Sequence, residues 1–485
     1  MGAEIATIAF ALGIVGLFAL DRDRKARTSP ALWLPVVWLS IGGSRMVSQW
    51  LQPAPASSAD EYLQYLEGSP LDRNILTALI VAGVMVLLGR GREVTTLLRA
   101  NGAILLFFSY CAVSTLWSDY TDVAFKRWIK SLGDLVMVLV VLTDPDQSAA
   151  SKRLLARLGF LLIPMSILLI KYYPELGRGY ANWTWEPMVT GVTTGKNLLG
   201  MICTICGIGS VWGLLRAFGD RANTRRAGPL IAQGTLLLMV MWLFWQANSM
   251  TSLLCFLLAS GLISATSRRA LATKPWVVHL FVVAALSVSA SVVFLDMGGS
   301  VLSAVGRDPT LTGRTEIWAV ALGFAGNPFF GTGFESFWLG ERLRKIWSIY
   351  WWRPNEAHNG YLEVFLNLGL IGVALLALVM VTGYRNVVGA LRRDPDAGRF
   401  RLAFFVAVVA YNFTEAAVRA FQPLWVLFLL TIITVPEGTG RCRTSTGMKL
   451  RTFRSNETAS PESACVSTQS RAFRLAALVR STDPR

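Results

Sequence analysis

Histidine is nearly missing from this chain: there are two in 485 residues, His279 and His358. Charge is scarce as well, at 16%, where soluble proteins carry about 25%. The six cysteines supply no disulfide framework. Cys111, Cys203, Cys206 and Cys255 sit in apolar runs, Cys442 and Cys465 in a C-terminal tail, and none in a connection read as external. Cys203 and Cys206 form a CxxC within an apolar helix, without partner ligands, and read as small core residues. The external connections hold no DxD pair, so the acids that would gather Mg²⁺ or Mn²⁺ for a metal-dependent transferase are missing. The run "GVTTGKN" has one residue too few between its glycines for a phosphate-binding P-loop. It also has Asn197 in place of Ser/Thr and no preceding strand.

What is present is apolar sequence. The chain is 53% hydrophobic with mean hydropathy +0.48. Runs of 15–22 residues recur along it, rich in Leu, Val and Ala and without alternation of period two. Backbone polar groups in lipid must be satisfied internally, so such runs form helices. The expected spans are 3–20, 31–49, 74–89, 102–117, 131–143, 154–171, 197–215, 229–246, 252–267, 276–296, 360–383, 402–418 and 423–436. The fold class is therefore all-α: a polytopic helical integral membrane protein of about 12–13 transmembrane helices with one large outer loop. The segment Ala3–Leu20 lacks a basic n-region and a small-residue cleavage site, and reads as a first span rather than a removed signal peptide.

The net charge of +16 does not point to nucleic acid, because its distribution follows a membrane rule. Basic residues crowd every second connection: Arg22, Arg24, Lys25 and Arg27, then Arg90, Arg92 and Arg99, and so on to Arg385, Arg392 and Arg393. Those connections are expected in the cytoplasm. The N-terminus then faces outward and the tail inward. Residues 1–436 form the transmembrane domain, and 437–485, rich in Ser, Thr, Arg and Gly, an expected disordered cytoplasmic tail. Two outward connections are long, 172–196 and 297–359. The second carries Phe329, Phe330, Phe334, Phe337, Trp338, Trp347, Tyr350, Trp351 and Trp352. So many aromatics suggest a folded segment on the membrane interface.

Within that connection the chain reads "GRTEIW", then "NPFFGTGFESF", then "AHNGYLEVFLNLGLIG". In this order and spacing, the three resemble the O-antigen ligase/polymerase superfamily, with the look of the exopolysaccharide polymerases. The upstream "YYPELGRGYANWTWEPMVTGVTTGKNLLG" resembles the same family's preceding outer loop. The likeness covers about 172–372, and the ligase-like segment with its closing helix about 172–383. The resemblance implies a GT-C-like helical fold without cofactor or nucleotide sugar. It implies an enzyme of the bacterial inner membrane, multi-pass, with its active site facing the periplasm. It would join glycan units from a polyprenyl-pyrophosphate donor to a glycan or lipid-linked acceptor, with other polysaccharide assembly proteins as possible partners. One position departs: many members carry a basic residue in the short turn that here reads "QANSMTSLL", where Met250 stands.

The chemistry names its own candidates. A leaving lipid pyrophosphate needs cationic donors, and the planar guanidinium fork suits phosphate oxygens. Arg314, Arg178 and Arg353 lie in the external connections. Lys196 opens a helix whose N-terminus also favours an anion. His358, at the mouth of a span, is placed to accept the proton of an attacking sugar hydroxyl. His279 lies within a span and reads as structural. The expectation is a metal-independent, inverting transferase with His358 and Arg314 at its centre and Arg178, Lys196 and Arg353 on the donor. A transporter of the same lipid-linked oligosaccharide is the alternative. Charges in mid-span look few, which favours the enzyme.

Overall fold

The computed structural model describes residues 2–22, 28–51, 68–180, 185–219, 227–267, a few positions between 276 and 287, and 314–436. Most of the expected span 276–296, the first part of the long connection and the expected tail 437–485 lie outside the described residues.

The chain is a polytopic helical membrane protein. Its elements run α1 (Ala3–Leu20), α2 (Trp33–Gly42), α3 (Val47–Leu51), α4 (Pro70–Leu88), α5 (Gly91–Ala100), α6 (Gly102–Ser114), α7 (Thr121–Leu142) and α8 (Gln147–Tyr172). The single turn α9 (Pro174–Gly177) leads into a two-stranded antiparallel ribbon, β1 (Arg178–Tyr180) and β2 (Pro187–Val189), with Arg178 opposite Val189. Then come α10 (Lys196–Gly219), α11 (Ala227–Ala247), α12 (Met250–Thr266), α13 (Arg314–Gly323), α14 (Gly340–Ile349), α15 (Gly360–Arg393), α16 (Pro395–Tyr411) and α17 (Pro423–Ile432).

Each expected span among the described residues is met by a helix. Six are long and apolar enough to cross a bilayer on their own: α1, α4, α8, α10, α11 and α15. The pair α5 and α6, bent by 88°, would make a seventh. The α7 helix falls short because Asp122, Lys126, Arg127, Lys130 and Asp134 run through its first two thirds. The buried helices α8 and α10 form the centre of the bundle, while α1 and α4 expose most of their apolar surface, as lipid-facing helices do.

Caps fix the helix ends that matter. Asp146 accepts from Ala149 N at 3.0 Å to start α8, and Asn359 accepts from Tyr361 N and Leu362 N, both at 3.0 Å, to start α15. Such caps are worth about 1 kcal/mol each. The α15 helix is broken at Gly369, where φ is +64°. The turn 327–333 lies in the break: Thr332 N and Gly333 N donate to Leu366 O and Asn367 O, and Leu370 N donates to Pro328 O at 2.8 Å. Gly331 and Gly369 are required there, since a Cβ on either would come within 2.5 Å of backbone atoms of the other segment. The two sequence stretches "NPFFGTGF" and "LNLGLIG" are thus one interlocked element.

Residues 314–359 build a small core of their own, with Ile317, Phe337, Trp338, Leu343 and Ile346 packed on Ala357 and Leu366. The described part of the aromatic-rich connection, residues 314–359, is folded.

Candidate active site

The site forms where the start of α15 meets the turn after α16. Gly360 makes this approach possible: a Cβ there would stand 1.8 Å from Asn412 Oδ1. Instead Gly360 N donates to Asn412 O at 2.9 Å and Glu415 O at 3.2 Å. Asn412 shapes the turn in return, its Oδ1 accepting from Ala417 N and Val418 N at 3.0 and 3.2 Å. These bonds bring Glu415 beside His358.

His358 Nδ1 lies 3.1 Å from Glu356 Oε1 and 3.2 Å from Glu415 Oε2. Each carboxylate has its own arginine. Arg314 Nη2 donates to Glu415 Oε1 at 2.8 Å, and Arg419 pairs with Glu356. Asn197 Nδ2 donates to Glu415 Oε1, also at 2.8 Å. Arg314 is engaged twice, because its other terminal nitrogen donates to Thr414 O. Arg314 and Glu415 are well covered, at 15% and 8% exposure, while His358 keeps 26%. His358 also holds a left-handed backbone, φ 50°, which costs a non-glycine residue of order 1–3 kcal/mol. Strain of this kind collects at functional sites.

The electrostatics follow from the geometry. Burial alone would lower the His358 pKa, but the two carboxylates outweigh it and raise the value above that of a free histidine. Burial alone would raise the Glu415 pKa, but Arg314 and His358 outweigh it and hold the carboxyl below its usual range. With acceptors on both sides of Nδ1, that nitrogen carries the proton. The neutral ring then presents Nε2 as the acceptor.

The five candidate residues do not all converge. Arg314 and His358 meet through Glu415. Lys196 is the first residue of α10, next in sequence to Asn197, whose side chain reaches Glu415. Arg178 is exposed on β1, with Nε donating to Ile170 O at 3.1 Å. Arg353 is exposed and stacks its guanidinium 5.5 Å from the Trp347 ring. Met250 opens α12, and its neighbour Thr251 accepts from Thr414 Oγ1 at 3.1 Å, so the turn that departs from the family pattern packs against the turn bearing Glu415.

Sequence reasoning missed Glu415, Arg419 and Asn197. Its span 402–418 placed Glu415 inside a membrane helix, whereas α16 stops at Tyr411. The signal was there: "YNFTEAAVRAFQP" sets a Glu and an Arg four apart between two apolar runs. The impression of few mid-span charges also needs correcting. Asp134 is fully buried, accepting from Trp38 Nε1 and Phe421 N at 2.8 Å each. Glu363, in the first turn of α15 rather than mid-span, is buried too, accepting from Trp338 Nε1 at 2.9 and 3.0 Å and from Ala357 N at 2.5 Å. Both are saturated by fixed donors.

Among the described residues, one group has the donor set for a metal ion: Glu356, His358 and Glu415, whose ligand atoms lie within 4.8 Å of one another. Two arginines already neutralise its two carboxylates, so a dication would enter a site without net negative charge.

Residues 223–377 match a protein family described as O-antigen ligase. An exopolysaccharide production protein, ExoQ, of Rhizobium meliloti (strain 1021) is 24% identical over 310 residues, covering 61% of this chain and 67% of that protein. Both findings support the O-antigen ligase/polymerase superfamily. The chain is thus a helical membrane protein that is similar, over these segments, to proteins of polysaccharide production. The matched segment holds Arg314 and His358, while Glu415 and Arg419 fall beyond it.

Proposed function

We propose that the protein is a metal-independent, inverting glycosyltransferase. It would polymerise or ligate polyprenyl-pyrophosphate-linked glycan units at the outer face of the inner membrane, during exopolysaccharide or O-antigen synthesis. The observation that carries this reading is the placement of His358 Nδ1 between two carboxylates that are themselves paired with arginines.

In this reading the acceptor hydroxyl gives its proton to His358 Nε2 as its oxygen attacks the anomeric carbon. The bond from that carbon to the pyrophosphate oxygen breaks, and the lipid pyrophosphate leaves as an anion. Glu415 and Glu356 stabilise the imidazolium that forms, which is the role of an orienting carboxylate behind a histidine base. The same carboxylates are held by Arg314, Arg419 and the histidine itself, which keeps them from acting as nucleophiles. A single displacement inverts the anomeric centre. Lys196, Arg178 and Arg353 are the donor-side cations of this scheme. Arg314 supplies its charge as the partner of Glu415 and would have to exchange one bond to reach phosphate directly.

Basic residues on every second connection support the outward placement of the site. The test is a reaction of purified protein with polyprenyl-pyrophosphate glycan, scoring product length and anomeric configuration with and without EDTA. Longer glycan of inverted linkage, insensitive to EDTA, is expected. Retained configuration would refute the single displacement, and loss of activity in EDTA would refute metal independence.

One observation favours the transporter reading: α15 is broken at Gly369, as transporter helices often are. The freed backbone groups bond to the turn 327–333 rather than opening toward a substrate. Vesicles that translocate the lipid-linked glycan without lengthening it would favour transport over transfer.

A further inference from the structure

From Pro328 to Gly333 every backbone N–H is bonded within the protein. Phe329 N and Phe330 N donate to Asn327 Oδ1 at 2.9 and 3.3 Å. Gly331 N donates to Asn327 O at 2.7 Å, Thr332 N to Leu366 O at 3.2 Å, and Gly333 N to Asn367 O at 2.9 Å. Pro328 has no N–H to place. Three consecutive carbonyls at the tip are used as well. Pro328 O and Phe329 O accept from Leu370 N and Ile371 N at 2.8 and 3.2 Å, and Phe330 O accepts from Trp117 Nε1 at 3.3 Å. A connection bathed in water has no need of such saturation, whereas non-helical backbone at membrane depth requires it.

Depth points the same way. The turn pairs with α15 at Leu366–Ile371, whereas the helix begins at Gly360. Gly369 is roughly 13 Å along the helix from its start at 1.5 Å per residue. Yet the tip of the turn is apolar and uncovered, Phe329 at 58% and Phe330 at 46% exposure. Its neighbours are exposed and apolar as well: the Phe330 ring packs on Trp117, next to Leu116 at 74% exposure, and Leu370, whose N–H donates to Pro328 O, is 48% exposed. Those neighbours belong to segments apolar enough to cross a bilayer, so what covers them is lipid.

We infer that Asn327–Gly333 is a re-entrant turn lodged among the acyl chains of the bilayer, with Phe329 and Phe330 in contact with lipid. The break in α15 exists to receive it. The described part of the long connection then has two portions: a water-facing one around α14, and this membrane-embedded turn. This inference does not depend on the proposed reaction.

The test is a depth measurement on the full chain in nanodiscs of phosphatidylethanolamine and phosphatidylglycerol. Cys442 and Cys465 are replaced by serine, the four buried cysteines are kept with the labelling of that parent protein as the blank, and one cysteine at a time is added by Phe330→Cys, Phe329→Cys, Leu370→Cys and Lys345→Cys. Each carries a nitroxide, relaxed by oxygen, which concentrates in the acyl region, or by a water-soluble nickel chelate. At positions 329 and 330 the ratio of oxygen to nickel collisions should match position 370 and exceed position 345 several-fold. Ratios at 329 and 330 equal to that at 345 would overturn the inference. The two phenylalanine positions are read separately, so failure of one variant to fold leaves the other decisive.

Discussion

Both ends of the helix bundle are rich in arginine, but the two ends use it differently. At the end that holds His358, Arg314 and Arg419 are paired with covered carboxylates around the imidazole. At the opposite end, Arg90 donates to Val140 O and Thr143 Oγ1 at 3.1 Å each, and Arg401 donates to Ile433 O at 2.6 Å. The ion pair there, Arg216 with Asp396 at 3.3 Å, is 41% and 37% exposed. One end ties off helix termini and faces solvent. The other holds a closed set of charges that a hydroxyl substrate can approach through the one histidine. Arginine number alone marks a membrane side; carboxylate partners in the interior mark chemistry.

Substitutions at the two ends should separate this contrast. The largest effect is expected from His358→Ala. The side chain is 26% exposed at a loop–helix junction, so folding and insertion should survive while transfer falls about 10²–10⁴-fold, the usual reach of a general base. Arg314→Ala should come next, with transition-state stabilisation lower by roughly 2–4 kcal/mol. Arg314→Lys keeps the charge but loses the planar fork, and should fall between wild type and alanine. Product yield at equal membrane abundance decides both, and near-normal polymer from the two Arg314 variants would detach that residue from the site.

Glu415→Gln tests stability more than rate. It leaves Arg314 covered without its carboxylate, a break that costs about 3–5 kcal/mol in buried pairs. Because the folded Glu415 pKa is lowered, its contribution is present above the unfolded carboxylate value of about 4.3. It is lost as pH falls through the lowered folded value. Thermal unfolding of Glu415→Gln should therefore approach that of wild type in acid and separate from it above. A constant gap across that range would contradict the pairing. The smallest effect belongs to the opposite end. Arg216→Ala removes an exposed pair worth less than about 1 kcal/mol, so it should leave transfer unchanged and the unfolding midpoint barely moved.

Much of the fold was legible because lipid leaves the chain few options. Long apolar runs had to become helices, and twelve of the expected spans overlie helices among the described residues. The site was legible in part. His358 and Arg314 stood out because a histidine-poor, charge-poor chain placed them in one aromatic-rich connection. Glu415 did not, because a single acid at the end of an apolar run looks like the last turn of a span. Only the stop of α16 at Tyr411, enforced by the Asn412 turn, moves it to the histidine. Arg178 and Arg353 share a connection side with the site, but sidedness fixes only a plane, and the position within that plane comes from tertiary packing. The re-entrant turn was hidden for a related reason: its polar backbone is satisfied by partners some 34 residues away, between Thr332 and Leu366.

The central claim is that His358 Nε2 takes the acceptor proton, and the pH dependence of transfer tests it most directly. The raised His358 pKa means that the base is lost to protonation as pH falls through a value above the free histidine's, about 6.5. The stability linked to the same group runs the other way: it is fully present below about 6.5 and lost as pH rises through the folded value. Transfer by the wild-type protein should therefore show an acid limb while the protein becomes no less stable on that account. In His358→Ala the limb should vanish, leaving a slow residual rate flat across the same range. An acid limb of the same midpoint in His358→Ala, with substantial transfer on its plateau, would contradict the account.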